Sequence, residues 1–156
     1  SMFYDQKFAD ELWVKVAGGA GGNGCASFDR SSQVSKIPDG GDGGRGGDVY
    51  FVASRRVHNL HNLRRAHFFG NTGGKGYSLK CDGVNAKPIK FKIPIGTEIY
   101  KVLKSDPTHF GRSLNKEHHQ LLIDLNEEGK EFLAAKGGLG GKGNFNHWEI
   151  MSTDKG

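Results

Sequence analysis

The chain of 156 residues contains few cysteines and no long apolar run. Its two cysteines, Cys25 and Cys81, are too few for a disulfide scaffold or a four-ligand zinc site. Their scarcity favours a reducing, intracellular compartment, and it does not distinguish cytoplasm from mitochondrion or plastid. No stretch approaches the ~18 consecutive apolar residues that a membrane span requires. We therefore expect neither a secreted disulfide-rich domain nor a membrane-spanning protein.

Motifs for nucleotide binding and catalysis are also missing. A P-loop requires GxxxxGK followed by Ser or Thr, whereas Lys75 and Lys142 are each followed by glycine. Residues 115–118 resemble the guanine-reading NKxD motif but end in His118, and no Asp precedes a glycine by three positions. The histidines lack the spacing of known zinc motifs. We therefore expect no catalytic residue, cofactor or metal site in this chain.

Glycine is the residue that the chain has in excess. There are 25 glycines among 156 residues, about double the usual ~7% share. The pattern GGxGGxG occurs at 18–24, 40–46 and 137–143, and 70–76 is a fourth copy with one glycine lost. The repeated formal match to the dinucleotide fingerprint GxGxxG is a by-product of this repeat, since glycine continues where a helix should begin.

A period of three residues predicts polyproline II helices, which have three residues per turn and no internal hydrogen bonds. Buried copies must therefore bond to their neighbours, so we predict a bundle packed glycine to glycine rather than four flexible linkers. A Cβ at Gly43 or Gly140 is expected to enter a close backbone contact. The predicted structural glycines are Gly18, Gly21, Gly24, Gly40, Gly43, Gly46, Gly137, Gly140 and Gly143.

Between the glycine copies the pattern is mostly that of β-strands. Leu12, Val14 and Val16 alternate with Trp13 and Lys15, which predicts a half-buried strand. Further strands are predicted at 48–53, 89–93 and 98–103, with a hairpin formed by 121–125 and 132–136, a helical turn at 59–65 and an exposed loop at 104–120. The expected fold is mainly β: a small barrel or sandwich that carries a glycine-rich lobe.

Charge favours a polyanionic partner. The formal net charge is +5 and the sequence pI is about 9.2, which indicates nucleic acid more than any other partner. Arg45, Lys75 and Lys142 occupy the same position in three glycine copies, and we expect them to gather at one end of the bundle. The candidate RNA-binding residues are Arg30, Lys36, Arg45, Arg64, Arg65, His67, Lys75, Lys80, Lys142, Asn144 and His147.

Aromatic residues lie near these cations in the sequence, namely His67, Phe68, Phe69, Phe145 and Trp148. Cations beside aromatic rings suit irregular RNA, in which phosphates are paired with cations and loose bases are stacked on rings. The alternative interpretation is that the rings belong to the core and the cations only maintain solubility.

Several runs of residues together resemble one known family. These are 16–28, 38–49 (PDGGDGGRGGDV), 67–68, 93–97, 124–125 with 128–129, and 135–144. In this order they resemble the amino-terminal Obg domain of the Obg GTPases. The resemblance implies a lobe of packed polyproline II helices on a β barrel, here at 8–150 with an insertion at 104–120. Residues 1–7 are interpreted as a cloning scar and lead-in, and 151–156 as the start of a linker to a GTPase domain.

The resemblance also implies a function. Obg-type proteins act in assembly of the large ribosomal subunit, so rRNA is the expected partner, while GTP and magnesium are expected only in the GTPase domain. The loops at the tip would be 27–39, 64–80 and 142–148. After Phe28 this chain has DRSSQ where the family has an FRREK-like basic stretch. The alternative is a protein-interaction module that regulates the parent GTPase, by contact with its GTPase domain, or recruits stress factors.

Overall fold

A computed structural model describes residues 10–24, 28–29, 37–38, 40–63, 68–76, 81–103 and 119–152. Within these residues the secondary structure is almost entirely β. The strands are β1 (Asp10–Ala17), β2 (Phe28–Asp29), β3 (Ile37–Pro38), β4 (Val49–Ser54), β5 (Phe68–Phe69), β6 (Ile89–Pro94), β7 (Thr97–Val102), β8 (His119–Leu125), β9 (Glu131–Ala135) and β10 (Phe145–Ser152). A 3-10 helix spans His61–Leu63, within the predicted helical turn.

Two main sheets form the body of the domain. The first has the order β5-β1-β10-β7-β8 and the second has the order β6-β4-β9, while β2 and β3 form a separate pair. In the second sheet β4 lies parallel to β6 and antiparallel to β9. Neither sheet closes on itself, so the body is a sandwich and not a barrel. The predicted mainly β fold is confirmed.

One apolar core joins the two sheets. The alternation predicted for β1 is present: Leu12, Val14 and Val16 are buried, and Val16 has no exposed surface. Across the core, the Phe68 ring packs edge-on against Phe51 at 5.4 Å and Phe91 at 4.9 Å between centroids. Burying each large apolar side chain contributes about 1.5–3 kcal/mol, so these contacts between the sheets stabilise the sandwich.

The predicted hairpin of 121–125 and 132–136 is wrong. Both strands exist, as β8 and β9, but β8 pairs with β7 in the first sheet and β9 pairs with β4 in the second. The loop between them bonds to the end of β4: Gly129 N–H donates to the Ala53 carbonyl at 2.8 Å, and Arg55 N–H donates to Glu128 Oε2 at 2.6 Å. These bonds hold the loop at the end of β4, so the chain passes from β8 in the first sheet to β9 in the second.

Strand β10 was not predicted. It pairs with β1 over eight residues and lies between β1 and β7, so the second half of the predicted tip loop 142–148 is a central strand. Met151 and Ser152, which we assigned to a linker, are buried in the same strand. These two residues are therefore part of the folded unit.

Five segments without regular strands form the glycine lobe, defined here as residues 18–24, 40–47, 70–76, 81–88 and 137–144. Backbone hydrogen bonds join them at three-residue intervals, the repeat of polyproline II. The segment 18–24 bonds to three neighbours. It donates to segment 40–47 (Gly19 N–H to Gly47, Gly22 N–H to Gly44) and to segment 137–144 (Gly18 N–H to Asn144, Gly21 N–H to Gly141). The third neighbour, 70–76, donates to it and to the preceding Ala17: Gly70 N–H to Ala17, Gly73 N–H to Ala20 and Gly76 N–H to Asn23. The lobe is the packed bundle that the repeat predicts.

Close backbone contacts require glycine at most of the predicted structural positions. A Cβ on Gly43 would lie 1.8 Å from the Gly22 carbonyl oxygen, and one on Gly46 would lie 1.9 Å from that of Gly19. Gly18, Gly21, Gly137 and Gly143 are similarly close to backbone atoms. Such distances exclude any side chain without movement of the neighbouring segment.

Two of the predicted structural glycines lack such a contact. The nearest atom to a Cβ on Gly24 is 3.6 Å away, which is ordinary contact. The contact predicted at Gly140 is wrong, since nothing lies within 4 Å of its Cβ position. Gly140 has a φ of 74°, in the left-handed region that other residues adopt only at a cost. Backbone conformation, and not packing, favours glycine there.

The segment 81–88 joins the bundle although it lacks the glycine repeat. Asp82 Oδ1 accepts from the Asp42 N–H at 2.7 Å, and Asn85 Oδ1 accepts from the Arg45 N–H at 2.8 Å. The two acceptors are three residues apart, as are the two donors, so the side chains follow the same three-residue repeat. Gly83 is the one glycine of this segment, and its N–H donates to the Asp42 carbonyl.

Candidate nucleic-acid interface

Three of the predicted RNA-binding cations lie on the glycine lobe and are exposed: Arg45, Lys75 and Lys142. Since Gly44 and Gly141 accept from Gly22 and Gly21, Arg45 and Lys142 lie beside the middle of segment 18–24. Lys75 lies farther along the lobe, because its neighbour Gly76 donates to Asn23. The three cations therefore lie on three different segments of the lobe, and the neighbours of Arg45 and Lys75 are joined by the bond from Gly44 to Gly74. That the cations gather at one end of the bundle stays a prediction.

The side chains of Arg45, Lys75 and Lys142 are available to bind a partner, whereas much of the lobe backbone is not. Along the lobe the N–H groups at three-residue intervals are already bonded to neighbouring segments. Arg45 Nη2 lies 3.4 Å from Asp48 Oδ1, with 48% of the Arg45 side chain exposed. Because a guanidinium has five N–H donors, this one contact leaves others available for a phosphate.

The residues Asn144 and His147 lie where the lobe meets the first sheet. Asn144 connects the two by its backbone, since its carbonyl accepts from Gly18 at 2.8 Å and its N–H donates to Lys136 at 3.0 Å. His147 lies in β10 directly opposite Lys15 in β1. Its ring stacks on Trp13 with centroids 5.3 Å apart and an interplanar angle of 8°.

The sequence interpretation missed Trp13 and Lys15 as candidate site residues. Their positions alternate with the buried residues of β1, and this alternation was the signal that they face outward. Lys15 Nζ lies 4.6 Å from the centroid of the Phe145 ring, and His147 contacts the same ring edge-on at 6.3 Å. The sheet thus brings together one cation and three rings from the two ends of the chain.

The aromatic candidates divide between core and surface. Phe68 is only 2% exposed and belongs to the core. Trp148 packs against Phe132 and donates its Nε1–H to the Ala134 carbonyl at 3.0 Å, so it is a structural residue too. Phe69 and Phe145 are 56% and 59% exposed. Among the aromatic candidates that the structure describes, Phe69 and Phe145 are therefore the two exposed enough to contact a partner directly.

Six of the predicted RNA-binding residues lie outside the described residues, namely Arg30, Lys36, Arg64, Arg65, His67 and Lys80. Most of the predicted loop 104–120 does so as well, and its last two residues begin β8. Among the described residues, no group of three or more His, Cys, Asp or Glu side chains is arranged to bind a metal ion. No helix in the described part of the chain is long and apolar enough to cross a membrane.

Two shifted pKa values occur away from the predicted site residues. Burial raises the pKa of Tyr100 above its ordinary value, and the hydrogen bond that its hydroxyl donates to Glu98 raises the pKa further. On the second sheet, the Glu131 carboxylate 2.8 Å from Lys90 Nζ raises the pKa of that ammonium by a hydrogen bond and by charge. Both groups take part in contacts that stabilise the sheets, and neither lies beside the lobe cations.

Comparison with known proteins identifies the family of the chain. The family model GTP1/OBG matches residues 9–154. A protein named GTPase Obg from Desulfotalea psychrophila is 44% identical over 139 residues, which cover 88% of this chain and 34% of the relative. The GTPase Obg of Magnetococcus marinus is 38% identical over 141 residues (89% and 33%), and that of Chlorobium phaeobacteroides is 41% identical over 140 residues (88% and 39%). The chain thus spans about a third of the length of these relatives. From its repeats, its fold and these matches, the chain belongs to the GTP1/OBG family.

Proposed function

We propose that this chain is the RNA-docking domain of an Obg-like GTPase and that it binds the rRNA of the large ribosomal subunit during assembly. The observation that carries the proposal is the set of exposed cations on a rigid, hydrogen-bonded lobe: Arg45, Lys75 and Lys142. The formal net charge of +5 favours the same partner. GTP and Mg²⁺ binding would belong to a further domain, in keeping with the name GTPase that the relatives bear.

The lobe is suited to contact RNA without changing shape. Its segments are so close that glycine backbone meets glycine backbone, so a ligand has no space to enter between them. Binding must therefore occur on the outside, where the three cations pair with phosphates. Because ribosomes are intracellular, the proposal includes a reducing compartment.

The proposal is tested by co-sedimentation of the chain with purified large and small ribosomal subunits at about 50 and 200 mM salt. We expect binding to large subunits that weakens by about 20- to 40-fold over this range if three phosphates are neutralised. Salt-independent binding, or equal binding to both subunits, would contradict rRNA docking through the lobe.

A charge-reversal variant locates the contact. Arg45→Glu, Lys75→Glu and Lys142→Glu together should abolish pelleting with large subunits. The matched control reverses three exposed lysines of the sandwich, Lys92, Lys101 and Lys130, so that the net charge of both variants is the same. If both variants lost pelleting with large subunits equally, only the total charge would matter. If the lobe variant still pelleted with large subunits, the lobe would be excluded as the docking surface.

The second candidate function is a protein-interaction module, which two exposed apolar side chains on the lobe favour. Leu139 is 84% exposed and Val84 is 78% exposed. A protein partner, such as the GTPase domain or a stress factor, would bury these side chains with little dependence on salt. Loss of binding in Leu139→Asp, together with insensitivity to salt, would favour this function over RNA docking.

A further inference from the structure

The outer side of the first sheet carries a cluster that we name the aromatic face, consisting of Trp13, Lys15, Phe69, Phe145 and His147. Ala17 pairs with Phe69 in β5 on one side and with Phe145 in β10 on the other. These two phenylalanines therefore lie in one row across the sheet. Lys15 and His147 form the next row, and Trp13 follows one row farther from the lobe.

The rings on this face are exposed to a degree that is unusual for large apolar side chains. Trp13 is 50% exposed, Phe145 is 59% exposed and Phe69 is 56% exposed. The Trp13 and His147 rings already stack in parallel. Exposed apolar side chains that lie together on one face, unlike singly scattered ones, are typical of an interaction site.

The cation beside the Phe145 ring favours RNA as the partner. The Lys15 ammonium lies over the Phe145 ring, 4.6 Å from its centroid. A purely apolar protein surface would have to desolvate this ammonium. Unpaired RNA supplies a phosphate for the ammonium and bases that stack on the rings.

The aromatic face is continuous with the lobe cations. Strand β1 ends at Ala17, where the lobe begins, and β10 begins with Phe145 directly after the lobe segment that contains Lys142. The first row of rings therefore directly adjoins the lobe in the chain, with Phe145 three residues after Lys142.

We propose that the aromatic face is a second RNA-binding surface, on which unpaired bases stack while the lobe cations bind the phosphates. This inference rests on the proposed RNA-docking function and extends it to unpaired nucleotides. It assigns Trp13, Phe145 and Phe69 as stacking residues, His147 as the partner that orients the Trp13 ring, and Lys15 as a phosphate contact.

The test measures binding of a fluorescently labelled, unstructured 12-nucleotide RNA, and of a duplex of the same sequence, by anisotropy. Trp13→Ala and Phe145→Ala should each weaken binding of the single strand by about 10-fold, with no change in its salt dependence. Trp13→Phe should retain most of the affinity because it retains a ring. The control pair Val84→Ala and Leu139→Ala removes apolar groups of the lobe that are even more exposed than the rings, and it should have no effect on RNA binding.

Folding is checked by thermal melts, and Phe69→Ala provides a further exposed position if one variant is unstable. Unchanged single-strand affinity in the folded ring variants overturns the inference, even if charge reversal on the lobe abolishes binding to ribosomal subunits. Equal affinity of wild type for the duplex and the single strand also overturns it. Ring-dependent binding of the single strand without binding to subunits supports the aromatic face and refutes ribosomal docking. Ring-dependent binding of a purified Obg GTPase domain, with no RNA binding, identifies a protein-docking face and overturns the inference.

Discussion

Substituting Gly43 by alanine tests the close packing of the lobe most directly. The added Cβ would lie 1.8 Å from the Gly22 carbonyl oxygen and 2.9 Å from the Asn23 carbonyl carbon. Ordinary contact begins at 3.4 Å, so segments 18–24 and 40–47 would have to separate by about 1.6 Å. Both neighbours are backbone atoms, and no side-chain rotation relieves the overlap.

The cost follows from the bonds at that position. Separation breaks the Gly22-to-Gly44 hydrogen bond of 2.8 Å and strains the Gly44-to-Gly74 bond of 2.7 Å, at about 1 kcal/mol each. Overpacking adds about 1–3 kcal/mol, and the lower entropy of the unfolded alanine chain offsets up to about 1 kcal/mol. We expect a net loss of about 3 kcal/mol, which lowers Tm by about 10 °C in a domain of this size.

The assay is thermal unfolding followed by circular dichroism, with hydrogen exchange at the Gly22 amide as a local readout. The matched control is Gly141→Ala, because nothing lies within 4 Å of a Cβ at Gly141, and its Tm should stay within about 2 °C of wild type. Equal Tm values for the Gly43 and Gly141 variants would refute the packing argument.

Three further predictions concern other positions. Gly140→Ala should cost about 1–2 kcal/mol, less than Gly43→Ala, because only the φ of 74° opposes it; a melt with no loss would contradict this. Asp82→Ala should speed hydrogen exchange at the Asp42 amide, which donates to Asp82 Oδ1 at 2.7 Å, and unchanged protection would refute that role. The pKa of Tyr100 is raised in the folded protein. The neutral Tyr100 hydroxyl therefore contributes its full stability below the pKa of an unfolded tyrosine, about 10, and this stability is lost as pH rises above 10 toward the folded pKa. Tyr100→Phe should therefore flatten the fall of Tm above pH 10, and an ultraviolet titration should show one of the four tyrosines ionising late; identical profiles would contradict the shift.

The extent to which the candidate interface was predictable differs between its two parts. Arg45, Lys75 and Lys142 were found because each occupies the same position of a repeat, and the structure shows all three exposed. Their positions relative to one another were not predictable, because these depend on the register of hydrogen bonds between segments. Trp13 and Lys15 had an outward position in the strand pattern, but their contacts with β10 depend on pairing between the two ends of the chain.

The sequence by itself determined the local geometry of this protein. A three-residue glycine repeat specifies polyproline II segments because three residues complete one turn and glycine leaves two edges bare. Alternating apolar residues specify half-buried strands because successive side chains point to opposite faces. Both are properties of short stretches of chain, and the lobe and strands β1, β4, β6 and β7 follow from them.

Only the tertiary structure decided which segments meet. It assigned β8 and β9 to different sheets, used β10 as a central strand, and added segment 81–88 to the lobe through Asp82 and Asn85. It also buries Phe68 in the core and packs the partly buried Trp148 against that core, while Trp13 and Phe145 are on the surface. These outcomes depend on contacts between residues far apart in the chain. Several strand pairings are compatible with the sequence pattern, and the pairing that forms is the one with the lowest free energy of packing and backbone hydrogen bonding.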